Sequence, residues 1–302
     1  MRISKILAAV DFSEASDEAL RVASDWAARW SAKLLACHVV PELLRSEPLF
    51  PQLNRSLSEE LPVFLRGAEA AVSQRVREVT QLEPSQFSVV VTEGSPQVGL
   101  LDQARGLEVD LIVLGSVGHG AAEQWLQGSV SEQVVRGAHC PVLVVRASAQ
   151  SDRVLAATDL SAASLPALEA AAEVARRLSA QLTLAHAIRV EVPLANRLGL
   201  MAGGPVWPIQ ENEKATLRQL VQDQLKGLLT QVGSAGTVLI LEGSAGPEVV
   251  RAARELSTKL VVVGTFGRTG ISRLLLGSVA ARIVRTSPCS VLVVRDRART
   301  GT

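Results

Sequence analysis

Two stretches of this chain combine the residue types that hold an anion by its oxygens. The second reads GTFGRTGISRLLLGS: two residues separate Gly264 from Gly267, and nine separate Gly267 from Gly277-Ser278. The first reads GSVGHGAAEQWLQGS, with Gly115, Gly118 and Gly128-Ser129 at the same spacings. Glycines leave backbone N–H groups unobstructed and tolerate positive φ, so such a loop can wrap phosphate oxygens. A helix opening at each Gly-Ser pair adds the positive end of its dipole, and the serine hydroxyl adds a donor. Asp11 and Asp159, each in an Asp-x-Ser triplet after an apolar run, carry carboxylates that suit a ligand or a hard cation. Capping of the following helix is an equally ordinary use for such an aspartate.

These residues recur because the chain is written twice. KILAAVDFSEAS returns as RVLAATDLSAAS, which places Asp159 148 positions after Asp11 (159 − 11). His38 and His186 are again 148 apart (186 − 38). Gly115 and Gly264 (264 − 115), and Cys140 and Cys289 (289 − 140), are 149 apart. A nearly constant offset marks a duplicated domain. The expected units are residues 1–147 and 152–296, joined by the polar linker 148–152.

Within each half, apolar runs of strand length alternate with segments of helical periodicity. Strands are expected at 3–10, 34–40, 87–92, 110–115 and 141–145. Helices are expected after the first strand, up to about residue 82, at 96–108 and at 128–137. The second half repeats this order, with a long helix over 211–232. Such alternation predicts an α/β fold: two tandem Rossmann-like or flavodoxin-like domains, each a five-stranded parallel sheet with helices on both faces. Ligands of such sheets sit outside the carboxyl ends of the strands. The two halves differ most at 41–62 and 191–210, where specificity or partner contacts are expected.

The pattern G-x2-G-x9-G-[ST], set behind an apolar strand and ahead of a CPVLVV-like segment, resembles the ATP-binding members of the universal stress protein family, and the resemblance covers the chain twice. It implies an adenine nucleotide in each half. The first site would draw on Ala9, Val10 and Asp11, with Val39 beside the adenine, and on Leu114, Gly115, Val117, Gly118, Gly128, Ser129, Val130 and Ser131 for ribose and phosphates. The second would draw on Ala157, Thr158, Asp159 and Ala187, then Val263, Gly264, Phe266, Gly267 and Arg268, and finally Gly277, Ser278, Val279 and Ala280. The resemblance also implies Mg²⁺ or Mn²⁺ near Asp11 and Asp159, and pairing of last strands (142–145 and 291–294) within the chain or in a homodimer. The second copy carries Arg268, Gly270 and Arg273 where the first has His119, Ala121 and Gln124, so weaker nucleotide binding is expected in the first.

Composition narrows the remaining classes. A net charge of +1 in 302 residues gives no general attraction to polyanions, and neither nucleic acid nor membrane is expected as a partner. Three cysteines without CxxC spacing argue against a disulfide framework or zinc site and for the cytoplasm. Neither GxSxG nor GxxxxGK[ST] occurs. With only Asp11 and Asp159 as evident bases, a stress-related binding protein is expected before an enzyme; slow ATP hydrolysis or phosphoryl transfer, and an AMP-filled or empty scaffold, are the rivals. His38 and His186 are expected to be packed and satisfied.

Overall fold

The computed structural model describes residues 1–41, 51–116, 130–147, 151–188, 211–265 and 276–295. The first half runs β1 (Lys5–Ala9), α1 (Glu14–Trp30), β2 (Lys33–Val40), α2 (Pro51–Thr80), β3 (Phe87–Glu93), α3 (Pro96–Gly106), β4 (Leu111–Gly115), α4 (Val130–Gly137) and β5 (Val142–Val145). The second repeats it as β6 (Arg153–Ala157), α5 (Leu165–Arg177), β7 (Gln181–Ile188), α6 (Glu211–Gln231), β8 (Thr237–Glu242), α7 (Ala245–Glu255), β9 (Leu260–Gly264), α8 (Ser278–Thr286) and β10 (Ser290–Val294).

Unbroken Val, Leu and Ile runs suit strands covered on both faces, and β5 and β10 are buried along their whole length. Within each half all pairings are parallel, in the order 3-2-1-4-5. The direction of winding reverses between β1 and β4, and between β6 and β9 in the second half. That reversal opens a crevice at the carboxyl ends of those strands.

The two five-stranded sheets are fused into one of ten strands. Their last strands pair antiparallel within the chain, with Val144 opposite Val291, Leu143 opposite Leu292 and Val142 opposite Val293. Because that pairing is antiparallel, the carboxyl ends of the two halves face opposite edges of the common sheet. Side chains alternate across it: Leu143, Val145, Leu292 and Val294 join the core under α1, α2, α5 and α6. Val142, Val144, Val291 and Val293 join the core under α3, α4, α7 and α8. Away from the sheet, Arg29 Nη1 donates to the Arg177 carbonyl at 3.1 Å and Arg177 Nη1 to the Arg29 carbonyl at 2.5 Å. The Arg177 guanidinium also lies 5.5 Å above the Trp30 ring.

The divergent, proline-rich segment 41–62 contributes to the helix that it was expected to precede. It is helical from Pro51 onward, and Pro62 lies inside α2. A proline deletes one hydrogen bond of a helix, and the thirty-residue ladder of α2 continues across that gap. Residues 42–50, 148–150 and 189–210 lie outside the described residues, including most of the expected linker and the insertion of the second half.

Candidate functional site

The β1 exit shows how local sequence shapes the crevice. Val10 N donates to the Cys37 carbonyl at 2.8 Å, continuing the ladder one residue past β1. The chain then turns through Phe12 at φ 65°, a left-handed conformation that costs a side chain of this size about 1–2 kcal/mol. Asp11 supports the turn: its Oδ1 accepts from Ser13 N at 3.0 Å and from the Ser13 hydroxyl. Ser13 Oγ in turn accepts from Ser16 N at 3.2 Å and caps α1. The capping considered for Asp11 therefore falls to Ser13, and Asp11 orients the cap. His38 Nδ1 lies 2.7 Å from the Val10 carbonyl. A carbonyl only accepts, so Nδ1 carries the proton, which fixes the tautomer and ties β2 to the β1 exit.

The second half repeats this device. Thr158 N donates to the Ala185 carbonyl at 2.9 Å, and Leu160 turns at φ 63°. Asp159 Oδ1 accepts from Ser161 N at 3.0 Å and Ser161 Oγ at 2.6 Å. His186 Nδ1 donates to the Thr158 carbonyl at 2.8 Å. Both histidines are thus satisfied, as expected of packed residues.

The β1–β4 pairing ends with Ala8 opposite Val113, and the β6–β9 pairing with Ala156 opposite Val262. Ala9, Val10 and Asp11 with Leu114 and Gly115, and Ala157, Thr158 and Asp159 with Val263 and Gly264, therefore lie just beyond the paired ends, on the carboxyl side. Gly115 sits so close to α1 that a Cβ there would lie 2.7 Å from the Ala15 carbonyl oxygen. Leu114, Val263 and Val39 are buried, and Val39 packs toward α3, opposite Gly99. Ala187, its counterpart, is half-buried. Val117, Gly118, Gly128, Ser129, Phe266, Gly267 and Arg268 lie outside the described residues, as do His119, Gln124 and Arg273.

What is described of the second loop is its base. Gly277 N donates to the Thr265 carbonyl at 2.9 Å, and the Gly277 carbonyl accepts from Ala281 N at 2.9 Å. The Gly277 amide is therefore engaged, which removes one of the donors expected to face a phosphate. The amides of Ser278, Val279 and Ala280 follow in the first turn of α8, where a helix supplies no acceptor four residues back. A Cβ on Gly277 would meet the Thr265 oxygen at 3.2 Å. In the first half, α4 begins at Val130; Ser131 is buried, and so is Glu132, which pairs with Arg136 at 2.6 Å.

A model of the universal stress protein family matches residues 2–146 and again 150–295. The chain belongs to the universal stress protein family. A universal stress protein of Mycolicibacterium smegmatis is 29 % identical over 304 residues, covering 97 % of each chain. The Bacillus subtilis universal stress protein YxiE is 30 % identical over 146 residues, which is 48 % of this chain and 99 % of that one. A universal stress protein from Archaeoglobus fulgidus has the same fold, with a TM-score of 0.61 at 20 % identity over 96 % of each chain.

Two features of these universal stress protein halves escape motif reading. Glu132 places a carboxylate in the first turn of α4, where the second half has Ala281; aligning the halves at their 149-residue offset exposes it (281 − 132). Phe12 stands edge-on to His38, with ring centroids 5.1 Å apart, and only its place inside Asp-x-Ser signals it. Beneath this site, burial pushes the Cys37 thiol up to about 12, so it is a packing group at neutral pH. Among the described residues no three His, Cys, Asp or Glu side chains cluster as a metal site, and no helix is long and apolar enough to cross a membrane.

Proposed function

We propose that each half of this chain binds ATP or a closely related adenine nucleotide at the carboxyl edge of its sheet, and that the chain is a cytoplasmic binding and regulatory protein of the stress response. The observation that carries the reading is the first turn of α8. Three successive amides without intrahelical acceptors stand at a glycine cap tied to Thr265 at the exit of β9, the strand that pairs with β6, in a sequence with the G-x2-G-x9-G-[ST] pattern. Amides and dipole together favour a polyphosphate there. The β6 and β9 ends would take the ribose, with Ala157, Thr158, Val263 and Gly264 at its edge.

Asp11 and Asp159 fit a Mg²⁺ or Mn²⁺ ion only in part. Each offers one carboxylate, one oxygen of which already accepts from the following serine. A cation there would take most of its ligands from phosphates and water, the usual manner of Mg²⁺. It would neutralise phosphate charge, while the protein binds and orients. β5 and β10 are engaged with one another, so a homodimer would need another surface.

The test is mass spectrometry of the denatured, purified chain for co-purified nucleotide, with calorimetric titration of ATP plus Mg²⁺. One or two adenine nucleotides per chain are expected, with Gly277→Val abolishing the tighter binding. No recovered nucleotide together with no heat of binding would overturn the reading. Multiple turnover lost in Asp159→Ala would favour the hydrolytic alternative.

A further inference from the structure

Each half ends its last strand in V-L-V-V-R, and the two arginines cross over. Arg146, after β5, sends Nη2 to the Val284 carbonyl at 2.6 Å and to the Arg285 carbonyl at 3.5 Å, both in the last turn of α8. Ser290 of β10 brackets its backbone, accepting from Arg146 N at 3.1 Å. Arg295, after β10, sends Nη2 to the Arg136 carbonyl at 2.7 Å, in the last turn of α4. Cations at a helix C-terminus satisfy its open carbonyls and oppose its dipole.

The other end of each gripped helix is the phosphate-facing end proposed above. α8 has nine residues and α4 eight, so about 12–14 Å separates the two ends. The backbone continues the connection. The Val145 carbonyl, adjoining Arg146, accepts from Ser116 N at 3.0 Å, where the first glycine loop departs. The Val294 carbonyl, adjoining Arg295, accepts from Thr265 N at 3.1 Å, where the second departs. Burial lowers the pKa of both guanidinium groups, and Arg146 Nη1 is buried with no hydrogen-bond partner among the described residues. Arg295 is buried and Arg146 half-buried, so both charges are partly withdrawn from water where the halves meet.

We infer that Arg146 and Arg295 are positioning residues in trans: each fixes the phosphate-binding helix of the opposite half, and together they couple the two sites. The inference rests on the nucleotide reading. Phosphate drawn onto the first turn of α8 moves a short rigid helix whose far end is held by Arg146, and thereby the strand end from which the first loop departs. The reverse path runs through α4, Arg295 and Thr265. Coupling of this kind is reciprocal.

Site-resolved titration of the full chain tests it. Gly128→Val leaves the second site to be measured alone, and Gly277→Val the first; coupling is read as the departure of the two-site parent chain from these single-site affinities, and it should vanish in either arginine variant. Arg146→Met is expected to weaken ATP about three- to tenfold at the second site and leave the first unchanged; Arg295→Met should do the opposite. Arg146→Lys, which keeps the charge, should restore part of the loss. An arginine change that weakens its own half, both halves equally, or neither overturns the coupling, and thermal melting of each variant separates equal weakening from misfolding. If the parent chain binds no ATP, the nucleotide reading falls first and takes this one with it.

Discussion

The two halves coincide down to single hydrogen bonds at their strand exits and part company at their glycine loops and the helices that follow them. Asp11 and Asp159 hold the same serine turn, and His38 and His186 donate to the same carbonyl position. Left-handed residues recur in pairs: Phe12 with Leu160, Ser31 with Ser179, Glu108 with Ser257. Divergence begins one step outward. Thr158 replaces Val10, and its hydroxyl reaches Ser164 Oγ at 2.7 Å, while a 3-10 turn precedes α5 where α1 starts directly. At the starts of α4 and α8, Glu132 in the first half corresponds to Ala281 in the second, and in the sequence of the loops His119 and Gln124 correspond to Arg268 and Arg273. Duplication kept the frame that builds a crevice and left the groups that set its charge free to change.

The largest effect expected from breaking this symmetry is at Gly115. In Gly115→Ala the new methyl would lie 2.7 Å from the Ala15 oxygen and 2.8 Å from its carbon, both backbone atoms, so α1 or β4 must shift. A cost of about 1–3 kcal/mol in stability is expected from such overpacking, read as a lower urea midpoint. Nucleotide affinity of the first site should fall on the order of a hundredfold, the penalty for moving one wall of a binding crevice by an ångström. The second site should keep its affinity, and a loss there would show that the halves do not bind separately.

A smaller effect, of opposite sign, is expected from making the first loop like the second. His119→Arg with Gln124→Arg adds to the first loop the two cations that the second carries in its sequence and should tighten the first site about tenfold, as measured by titration in the Gly277→Val background. An unchanged affinity would place the difference between the halves in the helix and not in the loop.

The fold and its duplication were legible because both are written in period and offset: apolar runs of strand length, helical spacing between them, and a shift of 148 or 149 residues that recurs from block to block. The antiparallel joint of β5 and β10 was legible only as an option, since VLVV pairs as well with another chain as with itself. The need for a glycine at Gly115 was legible from residue type, and the structure gives it a packing reason, the close approach of the Ala15 carbonyl. The site was not legible where partners decide. Ser13 rather than Asp11 caps α1, because the Asp11 carboxylate is turned back onto the serine. Gly277 spends its amide on Thr265. Arg146 and Arg295 look like strand-end charges until the crossing of the halves shows which helix each one reaches. The start of α2 at Pro51 was not legible, because a proline-rich stretch reads locally as leading into a helix, whereas α2 continues across Pro62.

The finest distinction between the halves rests on Glu132. Its buried carboxylate lies in the first turn of α4, where it meets the positive end of the helix dipole and stabilises α4 by about 0.3–1 kcal/mol. The same position is where a phosphate would draw on that dipole, so the two anions compete. Arg136 offsets part of the charge through its ion pair with Glu132. Glu132→Gln keeps the shape and removes the charge. It should lower the melting temperature slightly and tighten ATP at the first site about two- to threefold, a gain that shrinks as salt is raised and the Debye length falls below about 8 Å. Tightening that does not respond to salt would mean that the side chain acts by packing against the loop, and the contrast with Ala281 would then be one of volume.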